Sequence, residues 1–256
     1  MQSDLYLSLL LLLVSPAVGS FLAVMIDRLP RGESVVRPRS ACRTCGALLR
    51  VGQMVPLLSF IVQRGRCASC GAEIPSWVFY VELLALGSAV LALARGGDIQ
   101  IVWLHALFLW LLIALAGADL LWFRLPDVLT GCLVLTGFLI AARPGGLTLS
   151  DAALGAAVGA GSFLALRIGY RIMRGREGLG LGDVKLMAGL GAFAGLYDLP
   201  LLVLIGALIA LSVAVLQRMR AADALAGQRA IPFGAALCAA AAVLWVLGLP
   251  TLNGGW

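Results

Sequence analysis

Long apolar runs alternate with short polar breaks along most of this chain, and one polar stretch is long enough to fold by itself. The runs lie near 5–26, 77–95, 101–122, 128–142, 150–170, 183–197, 200–217 and 231–250. As helices they match the length that crosses a bilayer, where about 20 apolar residues span the hydrocarbon. The one long polar stretch, Asp27 to Ser76, lies between the first and second runs. Short connections between apolar helices predict antiparallel neighbours. The pattern therefore predicts an all-α polytopic membrane protein of about eight transmembrane helices with a small insert. The expected organisation is a first helix over 1–26, an insert over 27–76 and a transmembrane domain over 77–256. The opening run, LYLSLLLLLVSPAVGSFLAVMI, has no basic residue ahead of it, and its apolar stretch exceeds that of a signal peptide. It reads as a first spanning helix with its N-terminus outside.

Composition agrees with the pattern. The chain has 256 residues, 61% of them hydrophobic and only 12% charged, about half the charge fraction of a soluble domain. Its net charge of +6 is a matter of topology and not of nucleic-acid binding. With the N-terminus outside, the inner segments hold the eight arginines from Arg28 to Arg66, then Arg124, Arg167, Arg171, Arg174, Arg176, Lys185, Arg218, Arg220 and Arg229. Only Arg95 and Arg143 fall outside, so seventeen of nineteen basic residues share one side. The opposite orientation inverts the positive-inside rule. The expected surroundings are membrane lipid, with the insert on the cytoplasmic side.

The insert carries CRTCG (Cys42, Cys45) and CASCG (Cys67, Cys70), with 21 residues between the pairs. Two CxxC knuckles at such a separation can close four thiolates around one zinc ion, and Gly46 and Gly71 suit the tight turn each knuckle needs. Cytoplasmic thiols stay reduced, which disfavours disulfides. Four thiolates leave no open coordination position, so the predicted metal is structural. Cys132 and Cys238 stand alone inside runs and read as buried apolar residues.

Three carboxylates lie at or near the inner ends of the runs. Asp119 and Asp183 lie 64 residues apart, yet the topology puts both at the inner end of a span. Glu82 lies about one turn into the second run. Ionisable groups at such places face a partner or an aqueous cavity. Two carboxylates in one site share a proton and can activate water against a peptide carbonyl. Against this, Asp119 can be a helix-end residue and Asp183 an N-cap. The residues alone leave both readings open. Asp127, after Pro126, reads as an N-cap. His105 belongs near the outer end of the third run, in a packing or interfacial role. The small residues Gly155, Gly159, Gly189, Gly191 and Gly195 read as close helix packing.

Several stretches together carry a resemblance: GSFLAVMIDRLP (19–30), RPRSACRTCGALL (37–49), VPLLSFIVQRGRCASCGAEI (55–74), VELL (81–84), GADLLWFRLPDVLT (117–130) and GLGDVKLMAGLGA (180–192). The chain resembles the bacterial type IV prepilin leader peptidases, inner-membrane aspartic proteases of the GxGD type. The resemblance implies Asp119, eight residues before Asp127, and Asp183 of GxGD as the catalytic pair. It also implies cleavage of prepilins or type II secretion pseudopilins at the cytoplasmic face. Many members then N-methylate the new terminus with S-adenosylmethionine, an activity linked to the cysteine-bearing insert. Glu82 becomes a candidate for methylation or a cofactor pocket, with a hydrogen-bond anchor as its plainer role. Gly180 and Gly182 would let a substrate backbone approach Asp183. Lys185 either snorkels to the headgroups or acts on the aspartate pair or the substrate. The sequence departs from the family at Ala23, at RVGQM (50–54) and at WVFY (77–80), all in the methylation-associated part. Two alternatives stand beside the bifunctional enzyme: a peptidase without methylation, and a zinc-knuckle scaffold or transporter whose acidic pair binds protons or cations.

Overall fold

The structure, a computed structural model, describes residues 2–176, 178–220 and 231–248. Arg229 and the end of the last run, 249–250, lie outside them. The described residues form helices and two isolated β-bridges, the all-α architecture that the apolar runs predict. Contacts divide the chain into two compact units, 1–114 and 115–256.

In the first unit, α1 (Gln2–Arg28) packs against α3 (Ser76–Arg95). The two backbones approach closely at Gly19, where an added methyl would lie 2.6 Å from the Glu82 Cα. Here a glycine is the condition for contact, as membrane helices commonly require. The insert between them holds two single-turn 3₁₀ helices, Leu29–Arg31 and Val51–Met54, and the short α2 (Leu58–Val62). The first part of α4 (Ile99–Trp122) belongs to this unit. It is tied to α3 by the Trp110 indole N–H, which donates to the Ala85 carbonyl at 2.9 Å.

The second unit begins near the end of α4 and contains α5 (Asp127–Ala141), α6 (Leu149–Arg174), α7 (Leu181–Arg220) and α8 (Phe233–Leu247). Helices α5, α6 and α8 all pack on α7. The Thr148 hydroxyl caps α6 by accepting the Asp151 N–H at 3.1 Å, and Gly175 ends the helix at φ +66°. A straight α7 of 40 residues would be about 60 Å long, twice the hydrocarbon thickness of about 30 Å. It is not straight. Gly195 has φ +67° and ψ −177°, which no helix accommodates. A methyl on Gly159 would meet the Met187 carbonyl at 2.7 Å and the Leu199 side chain at 3.5 Å. On one straight helix, residues 12 apart would stand about 18 Å from each other. The chain therefore doubles back at Gly195, and α7 is two apolar helices in a hairpin.

This corrects two expectations. Gly195 is a chain-reversal residue as well as a packing one, because only a glycine takes that backbone conformation without strain. The runs 183–197 and 200–217 are joined at the break itself, without a polar loop. Among the described residues, five helices are long and apolar enough to cross a membrane, the hairpin counted as one, while α5 and α8 are shorter apolar helices. Cys132, expected to be buried, is exposed on α5, whereas Cys238 is buried. In a multi-pass membrane protein an exposed apolar position faces lipid, which is as good a solvent for it as the core.

Candidate active site and metal centre

Asp119 lies one turn before the end of α4 and is buried, 6% exposed. The helix closes at Phe123, whose N–H donates to the Asp119 carbonyl at 3.0 Å from a left-handed conformation, φ +51°. The Asp119 carboxylate receives the first turn of α8. The Ala235 N–H donates to its Oδ2 at 2.8 Å, and the Gly234 N–H also donates to the carboxylate. These amides have no partner within their own helix, and the positive end of the helix dipole favours an anion there.

Asp183 sits in the first turn of α7, half-buried, and its Oδ2 accepts the Gly180 N–H at 3.2 Å. The loop before it is fastened to α6. An Arg167 guanidinium N–H donates to the Leu179 carbonyl at 2.7 Å. Gly178 lies against the Tyr170 ring, where a methyl would come within 2.6 Å of the ring edge.

The two carboxylates share one site, close enough for the charge of Asp119 to act on Asp183, and both charges reach the buried Cys238 of α8. Leu125 sets this proximity. A methyl on Gly182 would meet the Leu125 Cβ at 3.0 Å. On Gly234 it would meet the Leu125 Cδ1 at 3.0 Å and the Asp119 Oδ2 at 3.1 Å. One leucine side chain thus fills the space between the two glycines that precede Asp183 and Ala235. Neither Leu125 nor the Gly234–Ala235 pair stands out in the sequence reading. The available signal was Ile-Pro-Phe-Gly (231–234), a proline followed by a glycine at a helix start.

The remaining sequence candidates fall as follows. Gly180 and Gly182 have local duties, a hydrogen bond to Asp183 and contact with Leu125. Lys185 pairs through Nζ with the Asp127 Oδ1 at 2.7 Å, both side chains well exposed. Asp127 is not an N-cap. Pro126 holds that position without a side-chain cap, and Asp127 is the first helical residue, its carboxylate turned to Lys185. His105 is buried in α4 within the first unit.

Gly234→Val tests whether the α8 amides act through Asp119. Its γ-carbons would displace Leu125 and the carboxylate. For a reaction run on this carboxylate pair, a misplacement of about 1 Å costs on the order of 10²-fold in rate, so kcat falls by about that factor while KM changes little. Steady-state kinetics on purified protein reads the split. A rise in KM at constant kcat would assign Gly234 to substrate binding instead.

The cysteines of the insert form twin knuckles. Cys42 N–H donates to the Ala47 carbonyl at 2.9 Å and Gly46 N–H to the Cys42 carbonyl at 2.9 Å. The second knuckle repeats both bonds, Cys67 to Ala72 and Gly71 to Cys67, each at 2.8 Å. Gly46 and Gly71 both take φ +72°, as the turn predicts, and single β-bridges (Ala41 with Leu48, Arg66 with Glu73) close the loops. All four sulfurs lie within 4.8 Å of one another, and Cys42 and Cys70 Sγ are 3.8 Å apart. That matches the edge of a tetrahedron with metal–sulfur bonds of about 2.3 Å. The knuckle amides also prepare thiolates. The Cys45 and Thr44 N–H groups pull Cys42 down to about 6, and the Cys70 and Ser69 amides lower Cys67. Cys70 feels the Ala72 amide, but the Cys45 sulfur and burial push it up to about 12. The donor set and spacing therefore fit one metal ion.

Glu82 is buried on α3, and its Oε2 accepts the Leu57 N–H at 2.7 Å. Leu57 has φ +61°, an uncommon conformation for a non-glycine residue, and the Ser20 hydroxyl also bonds the carboxylate. Glu82 thus anchors the VPLLS loop to α1 and α3, the plainer of its two expected roles.

Comparison with known proteins follows the same division of the chain. Residues 13–95 match the bacterial peptidase A24 N-terminal domain, and residues 106–215 match the type IV leader peptidase family. A prepilin leader peptidase/N-methyltransferase of Aeromonas hydrophila is 36% identical, over 80% of this chain and 79% of the relative. One of the same name from Dickeya chrysanthemi is 36% identical over 97% of this chain and 94% of the relative. A type 4 prepilin-like proteins leader peptide-processing enzyme of Escherichia coli is 35% identical over 86% of each. No solved structure matches the chain. With both family models matched and relatives similar over nearly its whole length, the chain belongs to the type IV leader peptidase family.

Proposed function

We propose that this protein removes the leader peptide of a type IV prepilin or type II secretion pseudopilin, with Asp119 and Asp183 as the catalytic pair, and then N-methylates the exposed terminus. The observation that carries the reading is the joining of these two carboxylates, from α4 and α7, in one site, each with its Oδ2 held by a backbone amide. An ionised carboxylate takes a proton from water, and the water oxygen attacks the scissile carbonyl carbon. The protonated partner gives its proton to the carbonyl oxygen. Collapse of the tetrahedral intermediate breaks the C–N bond, and the departing nitrogen takes a proton from the pair. The products are a leader carboxylate and a free pilin amine. Amide-held oxygens fix the orientation of both carboxylates before substrate arrives, which is where such sites gain rate.

The arginine asymmetry supports a site at the cytoplasmic face of the inner membrane. The knuckles would hold zinc through Cys42, Cys45, Cys67 and Cys70, as a structural ion that shapes the insert. Peptidase chemistry belongs to the helices after the insert, and methylation to residues 27–76 with their flanking helices. Membership of a peptidase family displaces the scaffold and transporter alternatives. Lys185 neutralises Asp127 beside the site and orients substrate only through that pair.

Co-expression with a prepilin tests the reading, with the mature N-terminus read by mass spectrometry. Leader loss together with a 14 Da increment at the new terminus is expected, from the one methyl group transferred. An intact leader rejects the peptidase, and an unmodified terminus leaves a peptidase alone.

A further inference from the structure

The insert is not uniformly polar. Between Arg50 and Arg64 it carries no charged residue, although residues 27–76 hold eight arginines against three acids. Two short helices occupy this stretch, Val51–Met54 and α2 (Leu58–Val62). Leu58, Ile61 and Val62 recur at the spacing of one helix face, and all three are exposed, Val62 by 80%. Val51, Met54 and Val55 repeat that spacing and are exposed as well, Val51 by 77%. The other side of α2 is occupied. The Phe60 ring stacks on Phe79 of α3 with centroids 5.0 Å apart, and Gly65 closes on its edge. Arg50, Arg64 and Arg66 are exposed at the two ends of the stretch.

The attachment of this stretch to α3 sets its depth. α3 has 20 residues, about 30 Å of helix, which is the thickness of the hydrocarbon core. Counted from Ser76 at its inner end, Phe79 lies about 4.5 Å along the axis and Glu82 about 9 Å. Phe60 stacks on the first, and the Leu57 N–H donates to the carboxylate of the second at 2.7 Å. α2 therefore lies level with the first turns of a membrane span. Its backbone suits that depth. The Ser59, Ile61 and Gln63 N–H groups donate to the Val55, Leu57 and Ser59 carbonyls at 3.0, 3.1 and 3.0 Å. These amides are satisfied within the segment, as a lipid-facing backbone requires.

We infer that residues 50–66 form an interfacial element in the inner leaflet, with Leu58, Ile61 and Val62 against acyl chains and Arg50, Arg64 and Arg66 on the phosphates of anionic lipids. Elements of this kind bury an apolar face about 5–10 Å deep at the headgroup boundary and carry basic residues beside it. Each basic residue near an anionic leaflet adds roughly fivefold in membrane affinity, and the arginine fork matches phosphate with two N–H groups. Lipid is the occupant that the geometry favours. α1 and α3 enter the membrane at either end of the insert, and the bare face stands at a height that soluble partners do not reach. Fluid acyl chains also cover a narrow apolar strip without the shape complementarity that a protein partner must supply. The two knuckles flank this stretch in sequence, so its docking seats the metal centre at the membrane surface. The inference is independent of the methylation reading.

The test uses full-length, metal-loaded protein in lipid nanodiscs. The photoreactive residue p-benzoylphenylalanine is placed at Leu58 or at Val62, and mass spectrometry reads the products of irradiation. Phospholipid adducts are expected from both positions, with or without a prepilin peptide in solution. Amide exchange over 55–63 in the unaltered protein supplies a second measurement. Exchange is expected to be at least about 10-fold slower in nanodiscs containing phosphatidylglycerol than in phosphatidylcholine alone. The variant Arg50→Gln/Arg64→Gln/Arg66→Gln is expected to abolish that difference, with metal content unchanged as evidence of folding. Absence of lipid adducts at both positions, or a prepilin adduct in their place, overturns the inference. Equal exchange in the two lipids overturns the assignment of the arginines to lipid phosphates.

Discussion

Asp119→Asn and Asp183→Asn each lower leader cleavage by about 10³-fold or more. General acid–base groups contribute about 10²–10⁴-fold, and a pair that must pass one proton between its members fails when either is lost. The double variant is then no worse than the singles, as for residues that act as a unit. Asparagine keeps an oxygen that can accept the Ala235 or the Gly180 amide, so the hydrogen bonds at 2.8 and 3.2 Å persist and the fold with them. Cleavage of a synthetic prepilin peptide by purified protein measures the loss, with helicity and elution profile as controls. Activity within about 10-fold of wild type in either folded variant would place the chemistry elsewhere.

Cys45→Ser empties the metal centre. Serine is a poor ligand for a soft thiolate site, and the remaining three sulfurs no longer close the tetrahedron. Metal binding in small zinc modules supplies about 10–16 kcal/mol of folding free energy. The regular structure of the insert itself is slight: two isolated β-bridges, two single-turn 3₁₀ helices and a five-residue α2. Elemental analysis should show bound zinc falling from about one per chain to below about 0.1. Hydrogen exchange should rise over 41–48 and 66–73, where the knuckle bonds lie. Retention of a full complement of zinc would show that the four sulfurs do not act together.

The helices were legible because membrane spans write themselves as long apolar runs. The knuckles were legible because their chemistry is local: two cysteines, two residues between them and a glycine at φ +72°. The Asp119–Asp183 pairing required topology and a family motif together. What the sequence withheld is mostly lateral. Lipid and protein core are equally apolar, so the pattern around Cys132 carries no sign of the face it occupies. The partner of Asp119 is an amide 116 residues away, and nothing in a backbone N–H marks which carboxylate it will meet. Asp127 reads as a cap from its neighbours alone, yet Lys185, 58 residues on, decides where its carboxylate points. Gly195 looks like every other small residue in an apolar run until its backbone reverses the chain. Leu125 is the clearest case. An ordinary leucine between arginine and proline becomes the spacer that brings two glycines, and with them two carboxylates, to one place.

The central claim is that Asp119 and Asp183 jointly stabilise a tetrahedral intermediate. A prepilin peptide with a hydroxyl-bearing tetrahedral carbon in place of the scissile carbonyl measures this most directly, since binding needs no turnover. Mimics of this kind bind at least about 10²-fold tighter than the corresponding substrate. The account predicts that margin for the wild-type protein, and its loss in both Asp119→Asn and Asp183→Asn while affinity for the ordinary peptide stays the same. Equal affinity for the two peptides, or a margin that survives either substitution, would contradict it.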